Sequence, residues 1–363
     1  MSEFPIHPDQ ITVEWLTSML RGSGALESDR SVNGFSSVTI GEGISLLGLV
    51  QRVELTYDGQ TEAPASVVIK FASPVEANRA IAMNTNMYQR EIDFFMRIAP
   101  RIDMPLTRFY FADIIPESGE NAVVLEDLRA YRAGDQVAGI DADEARAIID
   151  AFAPLNAAFW GKTDQPLLDG CMRIDSSYVE PFLPGVFGTW ERCRELFGYC
   201  MTAEVLAALP HYVASMRDLH RMMGERTQTL VHGDVRLDNV MFGQDPAQHP
   251  IVLIDWQAIM VSNPMQDVAY MLSQSMDTDL RRAHEDELIQ YYRDLVTELG
   301  VEGYTIEQAH ADYDVAVLWI MCYPLIIGGA FDPTNERGRA LAELVLRRST
   351  QTVTDRNLLK LLP

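Results

Sequence analysis

Asp234, Asn239 and Asp255 are the residues whose types and spacing could do chemistry in this chain. The first two fall in His232-Gly-Asp-Val-Arg-Leu-Asp-Asn239, and the third follows the apolar run Ile251-Val-Leu-Ile254. In phosphoryl transfer from a magnesium nucleotide, one carboxylate orients and deprotonates an acceptor hydroxyl. An amide oxygen and a second carboxylate then hold Mg2+ on the phosphates. Asp234 suits the first role, and Asn239 and Asp255 suit the second. Gly233 permits a tight or left-handed turn that presents Asp234. Arg236 is a candidate contact to the transferred phosphate. His232 reads as a loop-ordering hydrogen-bonding residue, and Asp238 as an ordinary turn former.

Such a site also needs a cation on the phosphates. Only three lysines occur among 29 basic residues, and one of them, Lys70, ends the strand-like run Val67-Val-Ile-Lys70. A compact ammonium reaches between phosphate oxygens more readily than a planar guanidinium. Glu91 is its expected partner. With Tyr88 at i−3 and Phe95 at i+4, it lies on the apolar stripe of its helix. Arg90 and Asp93 are expected to point to the surface. Gly41, Gly43 and Gly48 lie between two strand-like runs and could cover nucleotide phosphates, although their spacing is not GxGxxG. In Ala122-Val-Val-Leu-Glu-Asp-Leu128, the backbone at Glu126 and Leu128 could pair with an adenine edge.

These residues must be positioned by two kinds of structure. Runs at 38–40, 47–57, 65–71, 107–115 and 122–126 are rich in β-branched and aromatic residues and read as strands, with one helix over roughly 74–98. From about Asp141 the pattern is helical, with Asp141 and Asp143 as plausible N-caps, interrupted by a β-rich island at 230–256. The expected fold is α+β and bilobal. A small β-rich N-lobe covers 1–127, and a linker at 128–140 is loosened by Gly134 and Gly139. A larger helical C-lobe covers 141–363, with a catalytic loop at 230–243 and a metal-binding strand end at 251–257.

Composition bounds the partners. Apolar residues make up 47% and charged residues 22%, the profile of a globular protein. The net charge of −23 is spread along the chain, with 18 acidic against 9 basic residues in 1–128 and 34 against 20 thereafter. Nucleic acid, which requires a basic face, is an unsuitable partner. Cys171, Cys193, Cys200 and Cys322 form no CxxC pair, so reduced thiols in a cytoplasmic protein are expected. The N-terminus has no signal-like apolar run. The apolar stretch Val315–Ala330, broken by Pro324 and a Gly pair, is shorter than the roughly 20 residues of a membrane span and reads as a buried helix.

The strings HGDVRLDNVMF, LIDWQ and NPMQDVAYML, with VLEDL upstream, resemble the aminoglycoside phosphotransferase and choline kinase superfamily. Within it they look most like the ecdysteroid-kinase-like branch and the phosphotransferase domain fused to some acyl-CoA dehydrogenases. Matching positions run from about Gly41 to Tyr270. The resemblance implies a protein-kinase-like fold using ATP and Mg2+ to phosphorylate a hydroxyl of a small molecule. It implies Asp234 as base, Asn239 and Asp255 as metal ligands, Lys70 as phosphate contact paired with Glu91, and Asp267 as a structural acid. Trp256-Gln257 stands where protein kinases have Phe-Gly, so activation by flipping of that segment is not implied. The aromatic and Met residues of the C-lobe could form its core or line an apolar or mixed-polarity acceptor pocket. A nucleotide-binding pseudokinase acting as an interaction module is the alternative.

Overall fold

The computed structural model describes residues 4–41, 48–175, 179–330 and 335–363. The chain divides into two compact units: one comprises residues 1–101 and 106–130, the other 102–105 and 131–363.

The N-terminal unit is a five-stranded antiparallel sheet. Its strands are β1 (Val32–Ile40), β2 (Gly48–Tyr57), β3 (Ser66–Ala72), β4 (Phe109–Ile114) and β5 (Asn121–Glu126), in the order β1-β2-β3-β5-β4. In β3 the period of two sends Val67, Ile69 and Phe71 into the core and leaves Lys70 on the other face. The core is closed by a helix that the strand-dominated reading of this region missed, α1 (Val13–Gly22). Thr12 caps it by accepting from the Trp15 amide, and Leu16, Met19 and Leu20 lie against the sheet.

The expected helix over 74–98 is two helices, α2 (Glu76–Asn84) and α3 (Met87–Asp93), continued by a wider π-type turn at Phe94–Ile98. Asn86 breaks the first run with a left-handed φ of 56°, a conformation Asn tolerates better than most residues. Along α3, Tyr88, Arg90, Glu91 and Ile92 are all buried. The expectation of a surface Arg90 is therefore overturned, because α3 is enclosed on more than the one stripe its periodicity marks. The Tyr88 hydroxyl accepts from the Ser73 amide at 3.0 Å, tying α3 to the end of β3.

The C-terminal unit is mainly helical. Its elements begin with β6 (Arg132–Ala133), α4 (Ala142–Phe159), β7 (Met172–Arg173), α5 (Val179–Phe197), α6 (Ala203–Ala214) and α7 (Met216–Gly224). Four three-residue strands follow: β8 (Thr229–Val231), β9 (Val240–Phe242), β10 (Ile251–Leu253) and β11 (Met260–Ser262). The chain ends in α8 (Met265–Ser275), α9 (Thr278–Glu298), α10 (Ile306–Ile320), α11 (Cys322–Ala330) and α12 (Glu336–Asp355). Asp141 caps α4 in a reciprocal capping box with Glu144, while Asp143 lies in the first turn.

The β-rich island forms two small sheets, β10-β9-β6 and β7-β11-β8. Buried Asn156 of α4 anchors the second. Its amide donates to Leu230 O, its backbone carbonyl accepts from the Thr229 hydroxyl, and its side-chain oxygen accepts from Tyr292. The α10–α11 stretch, Ile306–Ala330, is the one helical stretch among the described residues long and apolar enough to cross a membrane. It is longer than the sequence reading allowed, and 72% of its most apolar window is buried inside the protein.

Candidate functional site

In the N-terminal unit the proposed charge pair is formed. Lys70 Nζ meets Glu91 Oε1 at 2.5 Å, with 17% of the Lys70 side chain and 2% of the Glu91 side chain exposed. An acid this deeply buried requires a partner, and the strand-to-helix placement provides one. Gly41 has a left-handed φ of +71°, and Gly43 lies outside the described residues. At the end of the sheet, the Glu126 amide donates to Arg108 O and its carboxylate accepts the Arg108 amide. Asp127 is fixed by Arg52 and Ser66 at 2.9 and 2.8 Å. Leu128, next along the chain, has a buried side chain.

The candidate catalytic loop in the C-terminal unit is built on Asp267 of α8. Its two carboxylate oxygens accept the backbone amides of His232 and Gly233, at 2.8 and 2.9 Å. Burial raises the Asp267 pKa against the opposing pull of His232 and these amides. Gly233 turns with φ +84°, and a Cβ there would stand 2.4 Å from Ala258 O, so only glycine fits. His232 Nδ1 accepts the Asp234 amide at 3.3 Å and Nε2 faces Ile254 O at 3.0 Å. One neutral tautomer, protonated on Nε2, satisfies both contacts. The ring packs 4.5 Å from buried Trp256, so His232 orders the loop.

Asp234 is thereby held with 30% of its side chain exposed. The Asn239 amide nitrogen donates to both the Asp234 carbonyl and its Oδ2, each at 3.0 Å. Arg236 Nε stands 4.0 Å from the same Oδ2. The Asp234 pKa is raised, first by burial and then by nearby Asp255, with Arg236 pulling the other way. Asp255 follows β10 in a left-handed conformation, φ 66° and ψ 70°, an uncommon backbone state for a residue with a side chain. Asp234, Arg236, Asn239 and Asp255 are thus brought together, while Lys70 and Glu91 form their own pair in the other unit.

Three contributors escaped the sequence reading. Tyr270, one turn beyond Asp267 on α8, is buried close enough to Asp234 to influence its ionisation. Its three-residue offset from Asp267 was the signal available. Tyr270 meets Tyr323 edge-on at 5.4 Å, and Tyr323 meets Trp319 and Phe182 at 5.4 and 5.6 Å. Asp238, read as a turn former, lies between Arg236 and Arg337, at 3.7 and 3.6 Å. Gln136 accepts the Leu237 amide inside the loop at 2.7 Å, and no local motif marks it.

Comparison with known proteins follows the same lines. Solved structures share the fold at low sequence identity. A choline kinase from Cryptosporidium parvum superposes with a TM-score of 0.57 at 10% identity, covering 96% of this chain and 98% of that one. A microcompartment-associated aminopropanol kinase gives 0.55 at 12%, covering 95% and 98%. Wild-type aminoglycoside 2'-phosphotransferase-IIIa, in its GDP complex, gives 0.52 at 13%, covering 94% and 99%. Among curated sequences, the mouse acyl-CoA dehydrogenase family member 10 is 27% identical over 141 residues, 34% of this chain. The Caenorhabditis elegans protein described as uncharacterized oxidoreductase dhs-27 is 31% identical over 94 residues, 24% of this chain. These matches span only 13% and 11% of the two relatives' lengths. The family model for ecdysteroid kinase-like proteins matches residues 43–303. With a kinase-like α+β fold and a family match over most of its length, the chain belongs to the ecdysteroid kinase-like family.

Proposed function

We propose that this protein transfers the γ-phosphoryl group of Mg-ATP to a hydroxyl of a small molecule, with Asp234 as the base. The observation that carries the reading is the double donation from Asn239 to Asp234. It fixes the carboxylate toward an acceptor and turns the Asn239 side-chain oxygen away, free to serve a cation. That oxygen and the Asp255 carboxylate are hard donors of the kind Mg2+ prefers, so the residues fit the metal. When bound, the ion would neutralise charge building on the phosphate oxygens.

Asp234 would accept the hydroxyl proton, its raised pKa making it a stronger base than a solvated aspartate. Arg236 would meet the transferred phosphoryl group. Lys70, oriented by Glu91, would contact the donor phosphates. The backbone at Glu126 and Leu128 would meet the adenine edge, with Gly41 and Gly43 covering the phosphates. The two-unit division, 1–130 apart from the 102–105 segment and 131–363, supports an N-lobe, linker and C-lobe near the expected boundaries.

For the acceptor, the rings that lead from Tyr270 through Tyr323 to Phe182 favour a carbon skeleton of apolar or mixed polarity. The kinases that share the fold are named for aminoglycoside, choline and aminopropanol, so hydroxylated amines belong in the same screen. The test is magnesium-dependent ADP release stimulated by hydroxylated metabolites, acyl-CoA derivatives and aminoglycosides. Stimulation that disappears in Asp234→Asn supports the reading. Unchanged turnover in that variant overturns it.

A further inference from the structure

Segment 134–139, expected to be loose because of its glycines, is instead closely approached at both of them. A Cβ on Gly134 would stand 2.3 Å from Leu237 O, and the Gly134 amide donates to Val240 O at 2.8 Å. A Cβ on Gly139 would stand 2.8 Å from both Ser275 O and an Arg348 nitrogen. Between them, Gln136 is only 3% exposed and all of its amide group is used. Its Oε1 accepts the Leu237 amide at 2.7 Å and the Ser275 hydroxyl at 3.3 Å. Its Nε2 donates to Gln274 O at 2.9 Å and to Ser275 Oγ at 3.1 Å. Arg348 of α12 then donates to the Gln136 and Gln274 carbonyls, at 3.0 and 3.2 Å, and pairs with Asp277 at 2.7 Å.

We propose that Gln136 is a positioning residue for the phosphoryl-transfer site. It fixes the peptide of Leu237 between Arg236 and Asn239 and couples it to the C-terminal end of α8 and to Arg348 within α12. The inference rests on the phosphotransfer reading above. The Leu237 peptide is held on both sides. Its amide is bound by Gln136, and its carbonyl, pressed against Gly134, accepts the Val240 amide. Asp234 and Asn239 are joined to each other but flank this peptide, so a shift at Leu237 moves the pair against Arg236 and Asp255. Displacements on the order of 1 Å at such a site cost as much as a hundredfold in rate.

The experiment compares Gln136→Met, which keeps the volume and loses every side-chain hydrogen bond, with Gln136→Glu, which keeps an acceptor for Leu237. Turnover of Mg-ATP is measured per folded molecule, the folded fraction being counted by stoichiometric Mg-ADP binding, alongside hydrogen exchange by peptide. In Gln136→Met, kcat should fall about tenfold or more while KM for ATP stays within about twofold. Exchange should rise in peptides spanning 233–240, and Gln136→Glu should recover part of the rate. The proposal is overturned if Gln136→Met turns over within about twofold of wild type, if exchange rises evenly through the C-terminal unit, or if Glu is no better than Met. A wild-type protein that never turns over Mg-ATP would refute the phosphotransfer reading instead; the exchange experiment, which needs no acceptor, would still decide whether Gln136 holds the loop.

Discussion

Lys70 is paired with a carboxylate from a neighbouring helix, whereas Asp234 is held by hydrogen bonds that begin at a buried carboxylate and pass through main-chain amides. The lysine has a flexible stem and keeps 17% of its side chain exposed. Glu91 helps orient it, and in the proposed role its charge could follow a phosphate that arrives slightly displaced. The aspartate sits on a glycine turn with no room for a Cβ, braced by Asp267, His232 and Asn239. A group that neutralises charge tolerates movement, while a group that takes a proton must sit within hydrogen-bond reach of one atom. The two regions differ in the way these proposed duties would require.

The largest effect that would test this contrast is in the rigid half. Asp234→Asn should lower kcat by at least about a thousandfold, within the range for a lost general base, while Mg-ATP affinity in a binding titration stays near wild type. Acid should also distinguish the halves. Burial pushes His220 of α7 down to about 4, whereas the N-terminal unit has only exposed His7. Between pH 6.5 and about 4 the unfolded chain binds a proton at this position that the folded chain refuses. Stability is therefore complete above about 6.5 and falls as pH drops, by about 3 kcal/mol in all. Urea titrations from about pH 7 to 4 should show that loss, and His220→Gln should flatten it.

In the flexible half, Lys70→Met should lower kcat/KM about a hundredfold, the size of one lost electrostatic contact to a developing charge. Glu91→Gln should cost less, about tenfold, because the lysine remains and loses only its orientation. If Glu91→Gln costs as much as Lys70→Met, the lysine is fixed as rigidly as the loop and the contrast fails. Steady-state kinetics with the best acceptor would measure both.

Much of the fold and site was legible because local chemistry announced it. Alternating β3 residues placed Lys70 opposite its core-facing neighbours, and the apolar stripe around Glu91 turned that acid inward. The left-handed turn at Gly233 followed from its place before Asp234. The misreadings came where tertiary enclosure overrides pattern. Arg90 is polar yet only 1% exposed, Asn86 splits an apparently continuous helix, and α1 was hidden among strand-like runs. Gly134 and Gly139, which by residue type suggest looseness, serve close approach instead.

By itself the sequence determined the chemical inventory and its order: a rare lysine, an inward glutamate, a glycine turn, and two carboxylates with an amide at fixed spacing. Those features depend on neighbours a few residues away, which set backbone conformation and side-chain face. Only the tertiary structure decided what braces them. Asp267 lies 35 residues from the His232 amide it accepts, and Gln136 lies 101 residues from the Leu237 amide. Tyr270 of α8 comes beside Asp234 in its loop. No local period encodes such contacts, because each exists only once packing has brought distant segments together and burial has made their hydrogen bonds obligatory.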